Sequence, residues 1–210
     1  MEDNVSKYPN DPEQTRWLTM TKNGDRLAFN HLVEKYQQAI YNFCYQMLKN
    51  GDEAEDAAQE VFMRAYFKLD SYAETHKFST WLFSIASHYC IDRLRSRRFQ
   101  LVSWDGLDPW YSGPDQGIPQ PERALLKAET VQEVQILLDT LSPDYRAIII
   151  LKYWHTMSYQ EIAQTLETTV SAIKSRLFRA RKMMAAQITT AQTATPRPDA
   201  ALTSSRMAFN

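Results

Sequence analysis

Glycine is scarce in this chain: five residues in 210. A glycine-rich phosphate loop is absent, and with it the usual signature of a nucleotide-binding enzyme. Two cysteines, Cys44 and Cys90, sit in apolar helical stretches without paired spacing, so we expect buried thiols in a reducing compartment rather than a disulfide or a metal site. The four histidines, His31, His76, His88 and His155, are scattered. His88 and Cys90 stand two apart on a helix and do not share a face, so no metal centre or cofactor site is expected. No apolar run approaches the ~20 residues that cross a bilayer, and the polar, acid-bearing start Met1 to Asn10 does not read as a signal peptide. We expect a soluble, cytoplasmic protein with no direct membrane insertion, and not an enzyme.

Strand-like alternation is also nearly missing, which leaves an all-helical reading. The formal net charge is only -1, against a simple polycation, but the charges are segregated. Asp52, Glu53, Glu55, Asp56 and Glu60 form an acidic cluster. Arg93, Arg95, Arg97 and Arg98 form one basic cluster, and Lys174, Arg176, Arg179, Arg181 and Lys182 another. Such a chain can meet a cationic and an anionic partner at once.

Two helical blocks emerge. In the first, Phe29, Leu32, Val33, Tyr36, Ile40 and Phe43 recur at helical spacing, and Asn50-Gly51-Asp52 stops one helix and starts the next. Ala57, Ala58, Val61, Phe62, Ala65, Tyr66 and Leu69 form that helix's apolar stripe, and a long helix begins near Ser79 or Thr80. From Phe99 to Gln120 prolines and glycines forbid a continuous helix, which reads as an extended linker. In the second block, Leu141-Ser142-Pro143-Asp144 offers a cap, a proline at the first helical position and an acid in the first turn. The Thr/Ala-rich end, with Pro196 and Pro198, is expected to be disordered.

The sharpest local signal is Ser158 to Met184. Ser158 and Glu161 make a capping box. A short helix follows, then the break Glu167-Thr168-Thr169, then a longer basic helix from Val170. This is a helix-turn-helix, whose second helix lies in the DNA major groove. At about 100° per residue, Val170, Ile173, Leu177, Ala180 and Met184 face inward, and Lys174, Ser175, Phe178, Arg179 and Lys182 face out. The cations suit phosphates, an arginine suits guanine, and Phe178 suits a thymine methyl. A solvated basic helix with Phe178 tucked against a neighbour is the plainer alternative.

Over most of residues 25 to 188 the chain resembles the extracytoplasmic-function sigma factors of bacterial RNA polymerase. The stretches Asp56-Ala-Ala-Gln59-Glu60-Val-Phe62-Met-Arg64-Ala-Tyr66, Phe78-Ser-Thr-Trp81-Leu82-Phe-Ser-Ile85-Ala86 and Asp92-Arg93-Leu-Arg95 resemble the family's second conserved region. Leu141-Ser142-Pro143 through Arg181 resembles its fourth. The resemblance implies two small helical domains joined by a flexible linker. Residues 24–98 would form the first domain, 99–127 the linker and 128–187 the helix-turn-helix domain, flanked by an N-terminal extension (1–23) and a tail (188–210).

The resemblance also implies roles. Asp56, Gln59, Glu60 and Phe62 would bind the clamp helices of the largest subunit of core RNA polymerase, and the second domain would meet the flap of the second-largest subunit. The melted -10 promoter element would be held by Tyr72, His76, Lys77, Phe78, Trp81, His88, Arg93 and Arg95. Trp81 shares the stripe Phe78, Trp81, Leu82, Ile85 and Tyr89, so packing stays open for it beside DNA contact. The -35 element would be read by Lys174, Ser175, Arg176, Phe178 and Arg179, with Arg176 near the edge and suited to phosphate. An anti-sigma partner is common in the family.

Three positions depart from the family pattern, one of them, Ser171 in place of a common glycine at a helix start, with little consequence expected. His88 stands where asparagine is frequent, which keeps hydrogen bonding but alters pocket size. Glu167 stands where glycine is usual, at a cost of roughly 1 kcal/mol if its φ is positive. A stand-alone regulator of duplex DNA shares the basic helix but gives no role to Asp56, Gln59 and Glu60.

Overall fold

A computed structural model of the chain describes residues 11–102 and 134–194. Among these residues it is built from helices, in the order α1 (Pro12–Lys22), α2 (Arg26–Leu48), α3 (Gly51–Phe67), a 3-10 turn (Leu69–Ser71), α4 (Phe78–Val102), a short helical segment at 134–139, α5 (Pro143–Tyr153), α6 (Tyr159–Thr165) and α7 (Val170–Ala194).

The helix ends follow local chemistry. Asp25 caps α2 by accepting hydrogen bonds from the N–H groups of Leu27 and Ala28, at 2.9 and 3.3 Å. Asn50 caps α3 by accepting from the Glu53 N–H at 2.9 Å, which makes Asn50-Gly51-Asp52 the expected restart. Pro143 opens α5 with Asp144 in its first turn, both as expected, but Ser142 makes no side-chain cap; Asp144 also accepts from Arg95 at 3.0 Å. Residues 1–23, expected as an extension, contain α1, which packs on α2 through buried Leu18 and a 2.5 Å hydrogen bond from the Tyr36 hydroxyl to Gln14. Both long helices outrun expectation. α4 continues through Val102, and α7 passes the anticipated end at 187 to reach Ala194, through Thr, Gln and Ala residues that carry no proline or glycine to stop a helix. The rest of the expected linker and of the tail lies outside the described residues.

α2, α3 and α4 enclose one part of the core, with Leu32, Ile40, Phe43, Ala57, Val61, Phe78, Leu82 and Ala86 buried. α5, α6 and α7 enclose the other, around Ile148, Leu151, Ile162, Ile173 and Leu177. These two parts meet. Arg146 of α5, 6% exposed, donates to the Met47 carbonyl at 2.8 Å and the Leu138 carbonyl at 3.1 Å, and pairs with Asp139 at 3.2 Å. His155 lies against Phe83, ring centroids 4.4 Å apart, and Phe43 at 6.0 Å. Burial among these apolar rings lowers its pKa to about 4. The Thr165 hydroxyl donates to the Thr80 carbonyl at 3.4 Å.

Candidate nucleic-acid interface

The helix-turn-helix forms as its sequence requires. The Glu161 N–H donates to Ser158 Oγ at 3.2 Å and the Ser158 N–H donates to Glu161 Oε2 at 2.8 Å, closing the capping box. α6 then ends in a Schellman turn: the Thr168 N–H donates to the Ala163 carbonyl at 2.9 Å and the Glu167 N–H to the Gln164 carbonyl at 3.3 Å. That turn puts Glu167 at φ 49°, the left-handed conformation glycine favours. Thr169 starts α7, accepting from the Ala172 N–H at 3.2 Å.

The facing of α7 follows the periodicity. Ile173, Leu177 and Ala180 are fully buried. Lys174, Ser175, Phe178, Arg179 and Lys182 are exposed, and Arg176 is intermediate at the edge. Phe178 is 64% exposed, so it is not tucked against a neighbouring helix. Val170 departs from the inward set and is exposed at the helix start.

The loop before α4 and its start are more occupied than their sequence suggests. Tyr72 and Phe78 are buried, 3% and 0% exposed, in an aromatic cluster with half-buried Trp81, with ring centroids 5.3 to 5.5 Å apart. The Tyr72 hydroxyl donates to the His76 carbonyl at 2.6 Å, which folds the loop on itself. Lys22 of α1 donates to the Tyr72 carbonyl at 3.3 Å. Lys77 donates to Glu161 Oε1 at 2.9 Å, so the capping-box carboxylate also receives a cation from the other half of the molecule. Partial burial pushes the Glu161 pKa up, but the hydrogen bonds from Lys77 and Ser158 outweigh it and hold the carboxyl below its ordinary value. His76 and His88 are exposed. Further along α4, Arg95 is exposed and Arg93 intermediate, its guanidinium donating to the Tyr89 hydroxyl at 2.9 Å.

On α3, Asp56 and Gln59 are exposed and Glu60 is intermediate, paired with Arg64 at 2.7 Å. Phe62 is 8% exposed and lines an open groove of about 860 Å³ between α2 and α3, with Phe29, Val33, Tyr41, Gln59 and Tyr66. Met63 and Phe67, 56% and 78% exposed, stand at its edge. The sequence reading passed over both. Their signal was available: at 100° per residue, Asp56, Gln59, Glu60, Met63 and Phe67 fall within about 100° on one face, an apolar pair among acids where water alone would favour polar residues.

Among the described residues no group of His, Cys, Asp and Glu side chains is arranged to hold a metal ion. Cys44 and Cys90 are free and buried, and a hydrogen bond between them, reinforced by burial, raises the Cys90 pKa. No helix among the described residues is long and apolar enough to cross a membrane.

Residues 32–100 match the family model of sigma-70 region 2, and residues 132–184 match that of sigma-70 region 4. Over 177 residues the chain is 36% identical to the ECF RNA polymerase sigma factor SigW of Bacillus subtilis, covering 81% of this chain and 94% of SigW. The chain belongs to the extracytoplasmic-function sigma factors. It is therefore a promoter-recognising alternative sigma factor that directs transcription initiation, in a family of non-catalytic initiation factors that bind RNA polymerase and promoter DNA. This sigma factor is also 34% identical over 164 residues to the ECF RNA polymerase sigma-E factor of Escherichia coli strain K12, covering 76% and 85% of the two chains. Its fold matches that of sigma factor RpoE of Bartonella quintana, solved with the anti-sigma factor NepR, at TM-score 0.59 and 26% identity over 77% of this chain and 96% of that one. CnrH, solved with the cytosolic domain of CnrY, shares the fold at TM-score 0.63 and 22% identity, over 85% and 98%.

Proposed function

We propose that residues 24–98 carry polymerase binding and -10 capture and residues 128–187 carry -35 recognition. The observation that carries this division is the pair of exposed faces: a cationic one on α7 with Phe178 at its centre, and an acidic one on α3 beside an apolar groove.

On α7, Lys174, Ser175, Phe178 and Arg179 read the -35 duplex in the major groove, and Arg176 at the edge takes a phosphate. On α3, Asp56, Gln59 and Glu60, extended by Met63 and Phe67, receive the clamp helices of the largest polymerase subunit, and Phe62 shapes the groove beneath. Carboxylates suit arginines on a partner helix, and exposed Met and Phe suit its apolar stripe. The α5–α7 unit rests on the flap of the second-largest subunit. At the -10 element, His76, Lys77, Trp81 and His88 meet the unstacked strand and Arg93 and Arg95 its backbone, with Tyr72 and Phe78 fixing the loop that presents them.

The protein works in the cytoplasm, where its polymerase is. An anti-sigma protein is a further partner; the solved complex of the 26%-identical relative supports this reading.

The test is transcription in vitro with sigma-free bacterial core polymerase on a pool of the host's promoter fragments. Specific transcripts appearing only when core and this protein are both present support the reading. Duplex binding by the protein alone, with no transcripts, overturns it in favour of a stand-alone regulator.

A further inference from the structure

One acidic residue of α3 has no part in the division of roles above. Glu53 lies in the first turn of α3 and faces α4, where its carboxylate pairs with two cations. Arg93 Nε stands 3.8 Å from Glu53 Oε2, and Arg97 pairs with the same oxygen. The Glu53 side chain is only 26% exposed, and those of Arg93 and Arg97 are 33% and 38% exposed. The pairs are thus less screened than surface ion pairs in open water. Arg93 is held a second time, donating to the Tyr89 hydroxyl at 2.9 Å. The Tyr89 ring in turn lies under the Arg64 guanidinium, 4.9 Å from the ring centroid, and Arg64 pairs with Glu60. A chain of contacts therefore runs from the acidic face of α3 to the arginines of α4.

Glu53 Oε2 accepts no hydrogen bond in this arrangement, so the carboxylate meets the two arginines as a charge, in the place where a phosphate would meet them in a DNA complex. We infer that Glu53 is a positioning residue for promoter opening: it holds Arg93 and Arg97 on α3 as an internal stand-in for the DNA backbone, and the downstream strand must displace it. The inference rests on the -10 backbone role proposed for Arg93, extends that role to Arg97, and adds a residue that limits how strongly the two hold DNA. An arginine that moves to phosphate leaves behind a carboxylate that takes up a cation. The net release of ions on binding is then smaller than the number of phosphates neutralised.

The test measures holoenzyme binding to a fork-junction DNA carrying the -10 element of a promoter recovered from the transcription experiment. Core polymerase is saturating, and salt is varied. Glu53→Gln keeps shape and removes charge. We expect binding at low salt to tighten by about three- to tenfold and the slope of log K against log salt to steepen by about 0.7, the contribution of one single-strand phosphate. Glu34→Gln removes the same charge from α2, where Glu34 pairs with His31, and is expected to match wild type. In an Arg93→Ala/Arg97→Ala background the effect of Glu53→Gln is expected to vanish. The inference is overturned if Glu53→Gln binds with wild-type slope, or if its effect persists without the two arginines. Failure of the wild-type holoenzyme to bind the fork at all sinks the -10 assignment beneath it, a result distinct from either.

Discussion

Glu167 shows how one side chain accommodates a backbone demand that its type does not suit. The Schellman turn requires positive φ at this position, and glutamate meets it at 49°. The penalty for a Cβ there is about 1–2 kcal/mol, partly offset because glycine gives the unfolded chain more freedom. Glu167→Gly is therefore expected to raise stability by about 0.5–1 kcal/mol in urea melts without altering promoter choice. Lys49 is a second such residue, at φ 63° where α2 ends. Its Nζ is buried and has no hydrogen-bond partner among the described residues. Burial lowers its pKa to about 7, with nearby Asp139 opposing and Arg146 reinforcing the shift. The folded chain thus binds fewer protons at Lys49 than the unfolded chain between pH 7 and 10.5, so stability rises with pH across that window. The rise is at most about 1.4 kcal/mol per unit, one proton's worth. Urea melts at pH 7 and 9 should show this component in wild type and lose it in Lys49→Met.

The helices divide the work, and substitutions on them should divide it too. Arg179→Ala on α7 is expected to weaken promoter use by about tenfold, the lower range for a guanine contact, with core binding unchanged. Glu60→Arg on α3 sets a like charge beside Arg64 and is expected to weaken core binding by at least about tenfold, leaving the α7 face intact. Core-binding titrations run beside transcription assays check both; equal loss of core binding in the two variants contradicts the division.

It is at this scale that the sequence was most legible. The inward face of α7 and the capping box were readable because both follow from spacing within one helix. So was the start of α3, because Asn50 needs only the N–H of Glu53. The burial of Phe78 was readable from the stripe it shares with Trp81 and Leu82, but that of Tyr72 was not, because it depends on ring contacts made across the loop with Phe78 and Trp81. Met63 and Phe67 were legible too, because helical spacing sets them on the face of Asp56, Gln59 and Glu60, opposite the buried stripe of Ala57, Val61 and Ala65. α1 was not legible because its apolar residues Trp17, Leu18 and Met20 make no helical repeat and the other positions it buries, Gln14 and Thr21, are polar.

Among the described residues, the two sigma domains meet along a seam. Arg146 ties α5 to the end of α2 through the Met47 carbonyl, and His155 fills a space between Phe43 and Phe83. A single unfolding transition is expected by calorimetry rather than two. Arg146→Ala takes the side-chain donor from the Met47 carbonyl and the partner from Asp139, while the Leu138 carbonyl keeps its bond from the Leu141 N–H, and is expected to cost about 2–4 kcal/mol. It should also separate the transition of residues 24–98 from that of 128–187.

The same seam bears on exchange of parts between relatives. The Arg146 bond to Met47 ends on a backbone carbonyl, which every sequence supplies, so it tolerates a foreign region 2. The Lys77–Glu161, Arg95–Asp144 and Phe83–His155 contacts need a particular side chain from each half. A chimera that joins this region 4 to a relative's region 2 therefore inherits the generic clasp and loses whichever matched contacts the relative's side chains cannot supply.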